Sequence, residues 1–225
     1  MIPWELIDKA AVPDGGGELR LYKHGRDFSI RVDGYELMNS RVHGSEEVLA
    51  EMACEIVAGR PNPRILIGGL GMGFTASAAL KRMAAESELV VAEIVPAVVA
   101  WNRGHLADLA GRPLEDPRIV VQEADIARIL QDEKQAYDAI LLDVDNGPDG
   151  LTRQDNNWLY SSAGLQAAYE TLRPAGVLAV WSAGPDQAFT QCLKKAGFKV
   201  TENRVRARAG NKGSHHTIWL GVRGR

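Results

Sequence analysis

RILIGGLGMG, residues 64–73, combines a short aliphatic run with a cluster of glycines. The aliphatic run has the length and composition of a strand that is buried on both faces. The glycines permit a tight turn and let backbone N–H groups approach a ligand. A helical pattern begins at Phe74, and the N-terminus of a helix presents further N–H groups to such a ligand. The segment therefore predicts a strand, a glycine-rich turn and a helix, with a ligand site at the turn.

Toward the C-terminus, strand-length apolar runs alternate with helical patterns. The strand runs lie at 89–94, 118–125, 137–144 and 176–183, with helical patterns between them. Strands rich in Val, Ile and Leu that are separated by helices are typical of a parallel sheet covered on both faces. The runs at 199–208 and 215–223 are joined by too few residues for a parallel crossover, so they must pair antiparallel. The prediction is an α/β fold with a doubly wound, mostly parallel seven-stranded sheet that ends in an antiparallel hairpin.

Toward the N-terminus, the pattern changes to short alternating segments at 18–24, 27–32 and 35–39, with Gly25 and Gly34 at the turns. These segments indicate a small antiparallel sheet, which a short leader precedes. A helix is predicted from 45 to 58, with Ser45 as its N-cap. We therefore divide the chain into an N-terminal β extension, residues 1–42, and a Rossmann-like domain, residues 43–225.

The composition is that of an ordinary folded protein, because 45% of the 225 residues are hydrophobic and 24% are charged. Cys54 and Cys192 are the two cysteines, and their separation predicts neither a disulfide framework nor a zinc ribbon. His215 and His216 are adjacent on a predicted strand and point to opposite faces, and the other three histidines have no paired spacing, so no metal site is predicted. No transmembrane pattern and no signal peptide are recognisable. These features predict a cytoplasmic protein without a membrane partner.

Charge is distributed unevenly along the chain, whose net charge is −3. From Lys194 onward, nine basic residues stand against one acid, Glu202. The overall acidic balance argues against a general nucleic-acid binder. Two interpretations of the basic hairpin stay open: it protects the sheet edge from aggregation, or it binds an acidic partner. The residues concerned are Arg204, Arg206, Arg208 and Lys212.

Ligands of doubly wound sheets bind beyond the carboxyl ends of the strands, so the residues at those ends are the candidate contacts. They are Gly69, Gly71, Gly73, Glu93, Asp125, Asp143 and Asp145. Glu93 stands at the end of the second strand, where a carboxylate can accept hydrogen bonds from both ribose hydroxyls. Phe74 stands where a dinucleotide motif has its third glycine, and no GxxxxGK[ST] motif occurs. The strand ends therefore predict a nucleoside-type ligand that has no pyrophosphate.

Several of these segments together resemble a known family. They are ELMNSRVHGSEEVLAEM at 36–52, the glycine loop, VAEIVPAVV at 91–99, DPRIVVQEAD at 116–125, YDAILLDV at 137–144 and LYSSAGLQAAYETLRPAGVLAV at 159–180. The chain resembles class I S-adenosylmethionine-dependent methyltransferases, and within that fold it is most similar to spermidine synthases and their relatives. The resemblance implies that Glu93 binds the ribose and Asp125 the adenine of an S-adenosyl ligand. It also implies that the glycine loop binds the ligand's amino-acid or aminopropyl end, and that the chain pairs as a homodimer.

The chain departs from the aminopropyl-transferring members at several positions. Gly71 stands where those members carry an acid that binds the amine of decarboxylated S-adenosylmethionine. Asn146 stands where their second acid helps to deprotonate the attacking amine, unless Asp145 replaces that acid. A glutamine and a tyrosine of the family align with Glu36 and Ser45. Each lost carboxylate forfeits a charge-assisted contact of about 1.5–3 kcal/mol, which argues against polyamine synthesis.

Three functions stay open from the sequence. The preferred hypothesis is methyl transfer from S-adenosylmethionine to a small-molecule acceptor, an amine or a hydroxyl. Asp143 and Asp145 would orient the ligand's ammonium or act as a general base. The second is aminopropyl transfer from decarboxylated S-adenosylmethionine to a polyamine. The third is a non-catalytic adenosyl-binding protein whose basic hairpin meets an acidic partner.

The aromatic residues near these strand ends have two interpretations. The segment 145–161 is long for a loop, and such loops are often lids. Trp158 and Tyr160 would then cover the substrate, or they are anchors of a packed loop. Trp181 is predicted to be a core residue.

Overall fold

The computed structural model describes residues 3–13, 17–144, 157–208 and 212–225. Its strands form two sheets, and we number them in chain order. The smaller, antiparallel sheet contains β1 (Glu5–Ala11), β2 (Glu18–His24), β3 (Asp27–Val32) and β4 (Tyr35–Asn39). The larger sheet contains β5 (Arg64–Gly68), β6 (Glu88–Ala92), β7 (Ile119–Gln122), β8 (Tyr137–Leu142), β9 (Leu172–Ser182), β10 (Lys199–Arg208) and β11 (Lys212–Val222). The predicted seven-stranded sheet and N-terminal antiparallel extension are both confirmed.

Helices connect most of these strands. In the described part of the chain they are α1 (Gly44–Val57), α2 (Phe74–Arg82), α3 (Pro96–Arg103), α4 (Ile126–Asp132), α5 (Asn157–Tyr160), α6 (Ser162–Thr171) and α7 (Gln187–Lys195). None of these helices combines the length and the apolar character that crossing a bilayer requires.

The large sheet has the strand order β10-β11-β9-β8-β5-β6-β7. Strands β5 to β9 pair in parallel, and β11 pairs antiparallel with both β9 and β10. The chain runs outward from β5 through β6 to β7, and then returns to the other side of β5 with β8 and β9. This reversal creates a topological switch point at the carboxyl ends of β5 and β8, where ligands of such sheets bind.

Both faces of the large sheet are covered, which explains the continuous apolar character of its central strands. Successive side chains of a strand point to opposite faces. On β5, Ile65 and Ile67 pack into the core formed with α1, α2 and α3, whereas Leu66 packs into the core formed with α4, α6 and α7. All three side chains are almost fully buried. The central positions of such a strand, which face both cores, are therefore apolar.

The N-terminal sheet packs on the same side of the large sheet as α1. Leu21, Ile30 and Val32 share one hydrophobic core with Leu49 of α1. The leader predicted before this sheet is wrong in part, because it contains β1, which pairs antiparallel with β2. Most side chains of β1 are exposed, so the strand lacks the alternation that would have revealed it. The domain boundary at residue 42 stays a prediction.

The N-cap predicted for the first helix is wrong. The N-cap residue of α1 is His43, and Ser45 lies inside the first turn. The side chain of Ser45 makes contacts with the large sheet instead. Its Oγ accepts a hydrogen bond from Trp181 Nε1 at 3.0 Å and lies 2.8 Å from His216 Nδ1. These contacts fix the start of α1 against β9 and β11.

The C-terminal hairpin is formed by β10 and β11, as predicted. Arg204 Nη2 lies 3.0 Å from His215 Nδ1, and Arg206 Nη1 donates to the carbonyl oxygen of Gly213 at 3.1 Å. Both arginines therefore make contacts within their own hairpin. The side chains of Arg208 and Lys212 lie outside the described part of the chain.

Candidate active site

A cavity of about 180 Å³ lies at the switch point of the large sheet. The residues that follow β5, β6 and β8 form its floor, and the start of α1 closes one side. Apolar side chains of the N-terminal sheet form a second wall: Leu19, Ile30, Val32, Leu37 and Met38. The cavity therefore lies between the two sheets, and neither sheet alone would enclose it.

The charged residues of this cavity are all acidic in the part of the chain that the structure describes. They are Glu46, Glu93, Asp125 and Asp143, and no lysine, arginine or histidine accompanies them among the described lining residues. The remaining lining residues are apolar or glycine. Carboxylates in an apolar cavity are costly unless a hydrogen-bond donor or a cation satisfies them. The cavity is therefore suited to a ligand with an apolar body, several donor groups and positive charge.

Two of the three predicted glycines line the cavity, Gly69 and Gly71. Gly69 has a φ of +88°, and a Cβ at this position would lie 2.6 Å from the carbonyl oxygen of Asp143. Gly71 has a φ of +52°, and a Cβ there would lie 3.0 Å from Cε of Met38. The loop thus needs glycine both for its left-handed backbone and for its close packing.

Gly73 does not line the cavity. It is the N-cap of α2 and has a φ of +83°, a conformation that favours glycine. A Cβ at this position would lie 3.0 Å from Oδ1 of Asn102. Gly73 therefore forms the turn into α2 and is not part of the cavity lining.

Glu93 follows β6 and is almost completely buried, with 7% of its surface exposed. Its Oε2 accepts a hydrogen bond from the backbone N–H of Leu70 at 3.0 Å, and its Oε1 accepts one from Val95 at 2.8 Å. Burial raises the pKa of this carboxyl, and the backbone N–H groups oppose the increase. Glu93 therefore joins the glycine loop to the turn before α3 and presents its carboxylate to the cavity.

Asp125 follows β7, lines the cavity and is the N-cap of α4. Its Oδ1 accepts a hydrogen bond from the backbone N–H of Ala127 at 2.8 Å. Capping therefore fixes the side chain and uses one oxygen, so Oδ2 can accept a hydrogen bond from a ligand.

Asp143 follows β8 at the centre of the switch point. Thr75 Oγ1 donates a short hydrogen bond to its Oδ2. Burial raises the pKa of Asp143 to about 6, and the hydrogen bond from Thr75 opposes the increase. A carboxyl with such a pKa can take up a proton near neutral pH, as a general base must.

Replacing Asp143 with asparagine should stabilise the protein at neutral pH. Between its usual pKa of 3.8 and about 6, the folded chain keeps a proton that the unfolded chain has released. The parent therefore loses stability as pH rises through this window. We expect Asp143→Asn to be more stable than the parent by about 3 kcal/mol at pH 7 and nearly equal below pH 4, measured by urea unfolding.

The control for this measurement has a pKa shift of opposite sign. Arg118 lowers the pKa of Asp116 through a hydrogen bond, so the Asp116 carboxylate adds stability as pH rises. Asp116→Asn should therefore lose stability relative to the parent as pH rises toward the usual pKa of 3.8. An Asp143→Asn variant that shows the same direction as this control would contradict the account of Asp143.

The remaining predicted site residues are Asp145 and the two aromatic residues Trp158 and Tyr160. Asp145 and Asn146 lie outside the described residues. Tyr160 is buried, its hydroxyl donates to the carbonyl oxygen of Val144 at 3.2 Å, and Trp158 packs against the same core. Both aromatics therefore pack against the core and do not line the cavity, and their role toward the segment 145–156 stays a prediction.

The cavity residues that sequence reasoning missed or misassigned include Glu46, Met38 and Trp181. The prediction that Trp181 is a core residue is wrong in part, because the half-buried side chain packs against the core and also lines the cavity. Its indole N–H donates to Ser45, which turns the ring toward the start of α1. Glu46 and Met38 both lie in the segment 36–52, and the resemblance of that segment was the available signal.

Comparison with curated proteins identifies polyamine aminopropyltransferases. No protein-family model matches the chain. "Polyamine aminopropyltransferase" of Oceanobacillus iheyensis is 30% identical over 164 residues, which cover 71% of this chain and 30% of that protein. "Polyamine aminopropyltransferase 1" of Streptomyces coelicolor is 26% identical over 208 residues, which cover 89% of this chain and 36% of that protein. The chain thus spans about a third of the length of these two relatives.

Solved structures of similar shape are spermidine synthases. The enzyme from Thermotoga maritima matches with a TM-score of 0.76 at 18% identity, over 97% of this chain and 73% of that one. A spermidine synthase in complex with a transition-state analogue matches with a TM-score of 0.77 at 18% identity, over 97% of this chain and 74% of that one. The likeness covers both the N-terminal sheet and the large sheet. The chain therefore has the spermidine synthase-like fold, a form of the class I S-adenosylmethionine-dependent methyltransferase fold.

Proposed function

We propose that this chain transfers an aminopropyl group from decarboxylated S-adenosylmethionine to a small amine of the polyamine class. The observation that carries the proposal is the charge of the cavity, whose described lining contains four carboxylates and no cationic side chain. Decarboxylated S-adenosylmethionine carries a sulfonium and an ammonium but no carboxylate. Its charge therefore complements the cavity, and so does that of a polyamine acceptor.

The same charge argument reverses the preference for methyl transfer. S-adenosylmethionine has a carboxylate beside its ammonium, and that carboxylate would meet the acidic cavity without a cationic partner in the described lining. Like charges that are brought together in an apolar site repel one another strongly. The names of the curated relatives and of the similar structures support the same choice.

The residues at the strand ends would contact different parts of the donor. Glu93 would accept hydrogen bonds from the ribose hydroxyls, because each carboxylate oxygen keeps lone pairs beyond those used by Leu70 and Val95. Asp125 would accept a hydrogen bond from the adenine amino group. Ile94 and Ile126 line the cavity near these acids and would contact the base. Together these contacts position the donor for attack.

The transfer itself requires alignment and the removal of one proton. When it is bound, the donor supplies a carbon activated by the positive sulfur, and methylthioadenosine leaves as a neutral group. The acceptor nitrogen forms a bond to this carbon as the carbon–sulfur bond breaks. The acceptor's ammonium must lose a proton before its nitrogen can attack. Asp143 would accept this proton, because its raised pKa makes it a suitable base. Asp145 stays the alternative proton acceptor.

Turnover measurements test the proposal. The purified chain is incubated with decarboxylated S-adenosylmethionine and putrescine, and in parallel with S-adenosylmethionine and putrescine. We expect methylthioadenosine and an aminopropylated amine only in the first reaction, and only when the amine is present. Methylated product from the second reaction, without aminopropyl transfer in the first, would restore the methyl-transfer hypothesis. Mass spectrometry of the amine products separates the two results.

A further inference from the structure

We propose that Glu46 and Asp143 together bind the primary ammonium of the donor's aminopropyl chain, with Glu46 providing the carboxylate that the glycine loop does not contain. This inference rests on the proposed function and assigns a role to a residue outside the strand ends. Glu46 lies in the first turn of α1 and lines the cavity beside Asp143. Among the described lining residues, it is the one acid that does not follow a strand of the large sheet.

The carboxylate of Glu46 has no partner in the part of the chain that the structure describes. No hydrogen bond or ion pair joins it to a described residue, whereas Glu93 and Asp125 accept backbone N–H groups and Asp143 accepts the hydroxyl of Thr75. Its neighbour Glu47 lies 3.3 Å from Nδ1 of His43. A half-buried carboxylate without a donor is costly to keep charged, unless a ligand provides one.

The electrostatics around Glu46 favour a cation. Burial, followed by the charges of Asp143 and Glu47, raises the pKa of Glu46 well above its usual range. Glu93 and Asp125 add further negative charge across the cavity, and His216 contacts Ser45 in the same turn of α1. A primary ammonium between Glu46 and Asp143 would neutralise both carboxylates and donate hydrogen bonds to both. The same ammonium lowers the pKa of Asp143, so with the donor bound in this way Asp145 is the proton acceptor.

The packing of the glycine loop explains why the carboxylate comes from α1. A side chain at position 71 would meet Met38, because its Cβ would lie 3.0 Å from Cε and 3.1 Å from Sδ of that methionine. A side chain at position 71 would therefore require the flexible end of Met38 to move by a few tenths of an ångström. Glu46 reaches the cavity from the start of α1 and leaves this packing undisturbed.

The test compares the variant Glu46→Gln with the matched control Glu47→Gln. Glutamine keeps the shape of the side chain and removes its charge, and Glu47 lies on the same helical turn but does not line the cavity. Calorimetry measures the affinity of each protein for decarboxylated S-adenosylmethionine and for methylthioadenosine, which has no ammonium. We expect Glu46→Gln to bind decarboxylated S-adenosylmethionine about 10- to 100-fold more weakly than the parent. Its affinity for methylthioadenosine should stay within about twofold, which also shows that the variant is folded.

Three outcomes decide the inference. Loss of affinity in Glu46→Gln that is confined to the ligand with an ammonium, with Glu47→Gln unchanged, supports it. Equal affinity of Glu46→Gln and the parent for decarboxylated S-adenosylmethionine overturns it and leaves the proposed function intact. A parent that prefers S-adenosylmethionine to its decarboxylated form overturns the proposed function and the inference together. In the parent, proton release on binding, measured in buffers of different ionisation enthalpy, should accompany the ammonium and decrease in Glu46→Gln, in which Asp143 remains. Unchanged proton release in Glu46→Gln would contradict the role of Glu46.

Discussion

Replacing Glu93 with alanine is expected to weaken the binding of methylthioadenosine by about 100-fold or more. The carboxylate would lose its hydrogen bonds with two ribose hydroxyls, each of which contributes about 1.5–3 kcal/mol when the acceptor is charged. The substitution would also remove the acceptor of the backbone N–H groups of Leu70 and Val95. The glycine loop would then lose its link to the turn before α3. Calorimetry with methylthioadenosine measures the change in affinity directly.

Two variants serve as references for the change at Glu93. Glu88 lies at the other end of the same strand, where it pairs with Arg64 at the surface, and Glu88→Ala should leave affinity unchanged. Glu93→Gln keeps one oxygen acceptor, and its affinity should fall between those of the parent and Glu93→Ala. If Glu93→Ala bound methylthioadenosine as tightly as the parent, the adenosine moiety would not occupy this cavity.

The large sheet could be predicted because its information is local. A central strand such as β5 must be apolar on both faces along its middle, since Ile65 and Leu66 enter different cores. The antiparallel hairpin was predictable because its turn is too short for a crossover. Strand β1 could not be predicted in the same way. It lies at an edge with most side chains exposed, so its pairing with β2 leaves little pattern in the sequence.

The site residues also differ in whether local sequence patterns predict them. Gly69, Glu93, Asp125 and Asp143 could be predicted together because the carboxyl ends of neighbouring parallel strands meet at one edge of a sheet. The residues missed come from elsewhere: Met38 from β4 and Glu46 from α1. Their position depends on how the N-terminal sheet packs over the large sheet. No short-range pattern encodes that packing, so only the resemblance of the segment 36–52 pointed to it.

The choice between methyl and aminopropyl transfer depends on the same packing. Position 71 is a glycine, whereas aminopropyl-transferring members carry an acid there. From the sequence alone, this difference favours methyl transfer. The sequence does not show that Met38 fills the space beside Gly71, or that Glu46 brings another carboxylate into the same cavity. A charge lost at one position and gained at another, distant in sequence, is visible only after folding.

Replacing Gly69 with alanine is expected to destabilise the protein by about 2–4 kcal/mol and to weaken ligand binding as well. The left-handed backbone at φ +88° costs an alanine about 1–2 kcal/mol. The new Cβ would also lie 2.6 Å from the carbonyl oxygen of Asp143, and such overpacking adds about 1–3 kcal/mol. Gly34 is a matched control, because its φ is +85° and a Cβ there would have nothing within 4 Å. Gly34→Ala should therefore show the backbone cost alone, measured by urea unfolding. Equal unfolding midpoints for the two variants would show that the loop and Asp143 can move apart. Gly69 would then not be needed to position the carboxylate of Asp143.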